Sequence, residues 1–168
     1  MRNIRIGKLT LNFGAGKDQA KLERGVLLLK KITGVDPVKT VTQKRIAAWG
    51  LRPGLPIGAK LTFRGKDAME LLPRLLKALD NHLKTKCFDN QGNVSFGVRE
   101  YIDIDGVEYD PKIGIEGLEV CVTLVRPGFR IKNRQLQKKK LPTNHRITSK
   151  ESQDFFAKNF QTTIGDED

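Results

Sequence analysis

The Gly-Ala-Gly-Lys sequence at residues 14–17 is the segment of this chain most suggestive of chemistry. A glycine-rich turn between a strand and a helix can direct backbone amides at a nucleotide phosphate. The full phosphate-loop pattern also needs Gly at the position of Leu11 and Ser or Thr at the position of Asp18. An Asp carboxylate at that position repels phosphate. We therefore interpret the segment as a tight strand-to-helix turn, with a nucleotide-binding enzyme as the less favoured alternative.

Carboxylates between residues 103 and 110 form a second set with chemical potential, because hard divalent cations prefer several carboxylate oxygens. These carboxylates lack EF-hand spacing, so we favour a solvated acidic loop, or one that docks on a basic protein. His82 and His145 are far apart in sequence and have no Cys or carboxylate at metal-ligand spacing. We expect no metal, no cofactor and no catalytic centre, and therefore not an enzyme.

Basic residues dominate the charge of the chain and are segregated along it. There are 31 Lys and Arg against 19 Asp and Glu, a formal net charge of +12. Residues 37–66 and residues 125–150 contain Lys and Arg but no acid. Two acid-free stretches predict two surfaces that face a polyanion, and RNA or DNA is the leading candidate. A general nucleic-acid-binding or architectural protein is compatible with these stretches alone.

Two segments with a period of two predict strands that have one apolar and one polar face. The polar face carries Thr10 and Asn12 in the first strand, and Lys60, Thr62 and Arg64 in the other. Small hydroxyl and amide groups interleaved with cations suit phosphates, 2′-hydroxyls and base edges of RNA. An ordinary solvated face is an equally good interpretation of this pattern.

Residues 43–58 are rich in Gly and Pro and predict a long basic loop. The loop contains Lys44, Arg45 and Arg52 together with Trp49, the single tryptophan. Trp49 is free to stack on a base, or it anchors the loop to the domain. Both alternatives remain open at the level of sequence.

Residues 126–147 show neither helical nor strand periodicity, and we interpret them as a basic extension rather than a linker. The cations that we expect to contact RNA in this segment are Arg130, Lys132, Arg134, Lys138, Lys139, Lys140 and Arg146.

The elements that position these residues predict an α+β fold in a single domain over residues 1–168. We expect two layers, with a mostly antiparallel sheet, helices on one of its faces and the other face open for RNA. Capping-box patterns start two of the helices, at Asp67 with Glu70 and at Thr148 with Glu151. The predicted strands cover residues 9–13, 36–42, 57–64, 94–98 and 118–124, and the predicted helices cover residues 18–34, 67–83 and 148–160.

No membrane attachment is predicted. The N-terminus has no continuous apolar segment, and no stretch approaches the roughly 18 apolar residues of a membrane span. Cys87 and Cys121 are far apart without a CxxC pattern, which suits a reducing compartment. We expect an intracellular, soluble protein.

Several motifs together resemble the L5 family of large-subunit ribosomal proteins, in the family's order and spacing over nearly the whole chain. A DGVEYDP sequence at residues 105–111 and the basic extension favour the archaeal and eukaryotic branch. The motifs are LNFGAG at 11–16, ITG at 32–34, IA at 46–47, GLPIGAKLTFRG at 54–65, GN at 92–93, FGVRE at 96–100 and IEGL at 115–118.

The resemblance implies a cytoplasmic ribosomal protein of the central protuberance whose open sheet face binds 5S rRNA. It also implies that the loop at residues 43–58 reaches the peptidyl-site tRNA and a 23S-type rRNA hairpin, and that other large-subunit proteins are neighbours. Asn12 and Thr62 match polar family residues, whereas Val35 stands where many members have Gln. The expected 5S rRNA contacts are Thr10, Asn12, Lys39, Thr40, Lys60, Thr62 and Arg64, and the expected loop contacts are Lys44, Arg45, Trp49 and Arg52.

Overall fold

A computed structural model describes residues 1–165 of the chain, and residues 166–168 lie outside it. The described part is α+β, as predicted. The strands are β1 (Arg5–Gly14), β2 (Val38–Val41), β3 (Pro56–Phe63), β4 (His82–Leu83), β5 (Asn93–Val98), β6 (Leu118–Val125) and β7 (Thr163–Ile164). The helices are α1 (Gln19–Thr33), α2 (Lys66–Lys77) and α3 (Ser149–Phe160).

Five of the strands form one sheet in the order β2-β3-β1-β6-β5. The edge strand β2 pairs antiparallel with β3, with Val38 opposite Lys60 and Thr40 opposite Gly58. The sequence did not predict β4 and β7, which form a separate parallel pair of two residues each. Strands of two residues are too short to show a period of two, and these two strands come from distant parts of the sequence.

The chain falls into two compact units. The first unit comprises Met1–Leu9, Phe63–Phe96 and the residues from Cys121 onward. The second unit comprises Thr10–Thr62 and Gly97–Val120. The single domain expected over residues 1–168 includes three residues outside the described part and stays a prediction.

In the second unit, helix α1 begins and ends where local capping dictates. The Asp18 carboxylate accepts hydrogen bonds from the backbone N–H groups of Ala20 and Lys21, at 2.9 and 3.2 Å, which satisfies free amides of the first turn. Gly34 ends the helix with a φ of 72°, a conformation that favours glycine. The buried stripe of α1 contains Leu22, Gly25, Leu28, Leu29 and Ile32.

Helix α1 packs closely on the buried face of β1. A Cβ atom on Gly25 would lie 2.1 Å from Cδ1 of Phe13, so the absence of a side chain at Gly25 makes room for the ring. Leu11 and Phe13 are buried on this face of the strand. The apolar face predicted for the first strand is therefore the face that helix α1 covers.

In the first unit, helix α2 departs from the prediction at both ends. Its N-cap is Gly65, which has no side chain to cap the helix, so the capping box predicted at Asp67 with Glu70 is wrong. The helix continues through Pro73 and ends at Lys77. Leu83, which we expected on the same helical stripe, lies in β4 instead. Two residues with positive φ, Asp80 and Asn81, lie between the helix and that strand.

Helix α3 has the predicted N-terminus. The Thr148 side chain accepts from the backbone N–H of Glu151, and the Glu151 side chain accepts from the backbone N–H of Thr148. Phe156 is fully buried and meets the Phe88 ring edge-on at a centroid distance of 5.8 Å. No helix within residues 1–165 has the length and apolar character needed to cross a membrane.

Candidate nucleic-acid interface

The alternation predicted for β1 and β3 is confirmed in the second unit. Ala59 and Leu61 are buried, whereas Lys60 and Thr62 between them are exposed. In β1, Thr10 and Asn12 are half-buried and alternate with buried Leu11 and Phe13. Both strands therefore turn their apolar residues inward and leave polar residues on the other side. Arg64 follows the end of β3, belongs to the first unit and is exposed.

The register of β2 places Lys39 and Thr40, both predicted to contact 5S rRNA, on opposite faces of the sheet. Thr40 lies opposite Gly58, and a Cβ atom on Gly58 would lie 3.0 Å from the Thr40 hydroxyl, so the two residues share a face. Lys39 lies opposite Ala59, which points to the buried side. Lys39 is exposed, but it belongs to the opposite face of the strand. We call Thr10, Asn12, Thr40, Lys60 and Thr62 the polar face.

Asn12 has a protein partner that sequence reasoning missed. Its side-chain amide donates to Oε2 of Glu119 in β6, at a distance of 2.9 Å. Because residues 12 and 119 are far apart in sequence, only the pairing of the strands reveals the contact. The polar face therefore has a carboxylate beside it, which accepts from one N–H of the Asn12 amide and leaves the second N–H for a ligand.

The predicted loop is closed at its base by backbone hydrogen bonds. The Thr42 amide donates to the Leu55 carbonyl, and the Gly54 amide donates to the Thr42 carbonyl, both at 2.9 Å. Ile46 and Leu51 form an antiparallel bridge farther out. The predicted loop end at residue 58 is too late, because β3 already begins at Pro56.

Leu51, not Trp49, anchors this loop. Leu51 is buried, whereas Trp49 is 67% exposed at the end of a short 3-10 turn, Ala47–Trp49. Lys44, Arg45 and Arg52 are exposed as well. The structure thus favours the alternative in which the indole ring is available for a ligand.

Two backbone amides of the glycine-rich turn at residues 14–17 already have an acceptor within the protein. The N–H groups of Ala15 and Gly16 both donate to the Ile57 carbonyl, at 2.9 and 3.0 Å. At the helix terminus that follows, the Asp18 carboxylate already accepts from two amides. The segment is a strand-to-helix turn, and its hydrogen bonds hold it to β3.

The acidic segment at residues 100–119 docks on helix α1 of its own unit. Lys21 and Arg24 lie 3.6 and 3.7 Å from the Glu116 carboxylate, and Lys31 lies 3.7 Å from that of Asp110. These three cations follow one stripe of the helix. These ion pairs are made within the chain, and docking of the segment on a basic protein stays a prediction. Within residues 1–165, no group of three or more His, Cys, Asp and Glu is arranged to hold a metal ion.

The basic extension, residues 126–147 of the first unit, is built around a buried arginine. Arg126 is only 4% exposed, and its guanidinium donates to the carbonyls of Arg2, His145 and Arg146 and to the carboxylate of Glu151. The distance from Nη2 to Oε1 of Glu151 is 2.6 Å. One side chain thereby ties the two ends of the extension together and joins them to helix α3.

Sequence reasoning counted Arg126 among the charges of an acid-free stretch, but this residue does not belong to an exposed basic surface. The only local signal is its position, directly after an apolar strand and before Pro127. The expected RNA contacts of the extension are exposed, apart from Lys132, which is half-buried with Nζ 5.1 Å from the centroid of the Phe129 ring. The exposed ones are Arg130, Arg134, Lys138, Lys139, Lys140 and Arg146.

The pKa of Glu151 lies below its ordinary value. The main cause is the hydrogen bond from the Thr148 backbone N–H, and the Arg126 guanidinium adds to it, while partial burial acts in the opposite direction. A protonated Glu151 would leave the buried Arg126 cation without its counter-charge. The charged state of this carboxyl is therefore tied to the order of the extension.

The chain is similar to known ribosomal proteins over almost its whole length. A family profile described as ribosomal protein L5 matches residues 1–52, and one for the C-terminus of that ribosomal family matches residues 56–155. The large ribosomal subunit protein uL5 of Sulfurisphaera tokodaii is 46% identical over 165 residues, which cover 98% of this chain and 93% of that protein.

Two further relatives of this chain have the same protein name. The large ribosomal subunit protein uL5 of Nanoarchaeum equitans is 46% identical over 152 residues, which cover 90% of this chain and 89% of that protein. The protein of the same name from Nitrosopumilus maritimus is 44% identical over 164 residues, which cover 98% and 95%. The predictions of a ribosomal family and of a non-enzymatic protein are confirmed. The chain belongs to the ribosomal protein L5 family.

Proposed function

We propose that this chain is a structural constituent of the large ribosomal subunit that binds 5S rRNA through the polar face. It helps to anchor that RNA in the central protuberance beside 23S-type rRNA and reaches the peptidyl-site tRNA through the loop at residues 43–58. The observation that carries the proposal is the alternation at residues 59–62 of β3, where exposed Lys60 and Thr62 flank buried Leu61. Family membership supports the coarser statement, a structural protein of the cytoplasmic ribosome.

Binding by the polar face combines two physical effects. Lysine neutralises phosphates and releases condensed counterions, which gives affinity that depends strongly on salt. Thr10, Thr40 and Thr62 carry small hydroxyl groups that bond to phosphates and 2′-hydroxyls and thereby set the register of the RNA. Because the threonine side chains are short, a folded RNA surface can approach the strands closely beside Lys60.

The loop and the basic extension supply further contacts. In the loop, exposed Trp49 offers a flat ring to a base or ribose, and Lys44, Arg45 and Arg52 offer cations to phosphates. The exposed cations of the basic extension face 23S-type rRNA. Neighbouring proteins of the large subunit are further partners in this proposal.

Two alternative functions, a nucleotide-dependent enzyme and a general nucleic-acid-binding protein, fit the geometry less well. A nucleotide-dependent enzyme needs free amides in the turn at residues 14–17, and the Ile57 carbonyl occupies two of them. A general nucleic-acid-binding protein needs only cations. It gives no reason for the hydroxyl and amide groups that lie beside Lys60 on the polar face.

The decisive experiment is binding of 5S rRNA at physiological salt in competition with an excess of unrelated folded RNA or duplex DNA. We expect saturable binding that resists both competitors. If about six phosphates are neutralised, log K falls with log salt with a slope of roughly −4 to −5. Complete loss to either competitor would reduce the chain to a general polyanion binder.

A further inference from the structure

The basic extension encloses a cavity with an apolar floor and a cationic rim. Its volume is about 240 Å³. Phe129 and Ile147 are buried at the floor, and half-buried Leu141 lies beside them. The rim carries the cations Lys132, Lys140 and Arg146. Within the described residues, no Asp or Glu lines the cavity.

Hydrogen bonds and close packing hold the walls of the cavity in place. Arg146 Nε donates to the Leu141 carbonyl at 3.4 Å, and Arg126 donates to the Arg146 carbonyl at 3.0 Å. Behind the floor, Gly92 has a φ of 78°, and a Cβ atom there would lie 3.0 Å from Ile147. The cavity is therefore part of a packed structure, not a gap between mobile side chains.

The chemistry of the cavity selects its occupant. An inorganic anion would pair with the cations of the rim but would make no contact with the apolar floor. An aliphatic ligand would contact the floor but would leave the three cations without a counter-charge. A nucleotide offers both a flat apolar ring and a phosphate. The volume is below the roughly 300–1,000 Å³ of pockets for drug-sized ligands, which fits one ring system rather than a larger molecule.

We propose that this cavity receives a single unstacked nucleotide of ribosomal RNA. The base lies against half-buried Leu141, above the buried Phe129 and Ile147, and its phosphate meets Lys140 and Arg146. Gln91, also at the cavity, provides a side-chain amide for the edge of the base. This inference rests on the proposed function, because an rRNA already held by the basic extension supplies the nucleotide.

Two neighbouring lysines provide a matched test. Lys140 lines the cavity and Lys138 does not, although both are exposed members of one Lys-Lys-Lys run. Each Lys→Gln change removes the same charge and reduces the salt slope by about 0.7–0.9 if that lysine contacts a phosphate. Leu141→Gln alters the floor without any change in charge. Thermal unfolding of each variant is compared with that of the wild type.

The readout is probing of 5S rRNA and of 23S-type rRNA transcripts bound to the full chain with dimethyl sulfate and a carbodiimide, which together report the accessibility of all four bases at single nucleotides. We expect one unpaired base that the wild type and Lys138→Gln protect and that Lys140→Gln and Leu141→Gln leave reactive. Loss of the base contact in Leu141→Gln weakens binding about tenfold. The rest of the footprint remains in all four proteins.

Three outcomes would overturn the inference. One is an unchanged footprint in both cavity variants, which would leave rRNA binding intact and assign the cavity to another occupant such as an acidic protein segment. Another is loss of the same protection in Lys138→Gln, which would show that the charge of the lysine run, and not the cavity, protects the base. The third is absence of any rRNA footprint with the wild type, which would remove the proposed function as well.

Discussion

The polar face and the basic extension both expose cations, but different interactions hold those cations in place. On the polar face, Lys60 and Thr62 point outward because their neighbours in the strand point into the core. In the basic extension no such periodicity exists, and the buried Arg126 fixes the backbone by bonding to the carbonyls of His145 and Arg146. In the sheet, alternation along each strand decides which side chains are exposed. In the irregular extension, the hydrogen bonds of one buried arginine to distant residues hold the backbone in place.

This difference has a consequence for mutation. Losing one side chain from the polar face removes one contact, because the strand remains where its neighbours hold it. Losing Arg126 removes the support of the whole extension. The following changes test the contrast, beginning with the one of largest expected effect.

Arg126→Ala should cause the largest loss of stability. The change removes hydrogen bonds to three carbonyls and leaves the Glu151 carboxylate without its cation. We expect a fall of about 2–4 kcal/mol in the free energy of unfolding, since Glu151 is partly solvated. Urea denaturation measures this. Arg130→Ala, at an exposed position of the same extension, is the control and should stay within about 0.5 kcal/mol of the wild type. Equal effects of the two changes would contradict the central role of Arg126.

Gly25→Ala tests the packing beneath the polar face. The new Cβ atom would lie 2.1 Å from the Phe13 ring, so the helix or the ring has to shift. We expect a loss of about 1–3 kcal/mol in the free energy of unfolding and weaker 5S rRNA binding. Gly14→Ala is the matched control, because a Cβ atom there meets nothing within 4 Å. A fully stable Gly25→Ala protein would mean that helix α1 does not press on β1 as described.

Acidification should affect the basic extension through Glu151. The folded state lowers the pKa of this carboxyl, so its contribution is complete above the unfolded pKa and is lost as pH falls through the folded pKa. The stability difference between the wild type and Glu151→Gln should therefore be constant above about pH 5 and shrink below about pH 4.5. Chemical denaturation at a series of pH values gives this difference. A difference that does not change down to about pH 3 would contradict the assignment.

Glu119→Gln should have the smallest effect and the opposite sign. The change removes a negative charge beside the polar face and replaces the charged acceptor of the Asn12 amide with a neutral one. We expect 5S rRNA binding to strengthen about two- to fivefold at low salt, because less negative charge repels the phosphates. The gain in affinity should shrink at higher salt, because salt screens that repulsion. Filter binding at two salt concentrations measures both quantities. Weaker binding would show that Glu119 positions Asn12 for the RNA instead of competing with it.

Local interactions account for what the sequence predicted well. The helix predicted over residues 18–34, observed as Gln19–Thr33, and the capping box at Thr148 and Glu151 depend on residues a few positions apart. The alternation in β3 is likewise visible within eight residues. Such features depend on neighbours in the chain, so composition and spacing are enough to predict them.

Long-range pairing accounts for what the sequence missed. The Asn12 contact with Glu119 and the Arg126 network join residues from distant segments. Which face Lys39 occupies depends on the register of β2 against β3, and a shift of one residue would reverse it. The start of α2 was misjudged for a different reason, because Gly65 supplies the N-cap through its backbone conformation and leaves no side-chain signal.

The most direct test of the central claim compares Lys60→Gln with Lys39→Gln in binding to 5S rRNA at one fixed salt concentration. Both lysines are exposed and lie on adjacent paired strands, but only Lys60 belongs to the polar face. We expect Lys60→Gln to weaken binding about three- to tenfold and Lys39→Gln to leave it nearly unchanged. Equal weakening by both variants, or weakening by Lys39→Gln alone, would contradict 5S rRNA binding by the polar face.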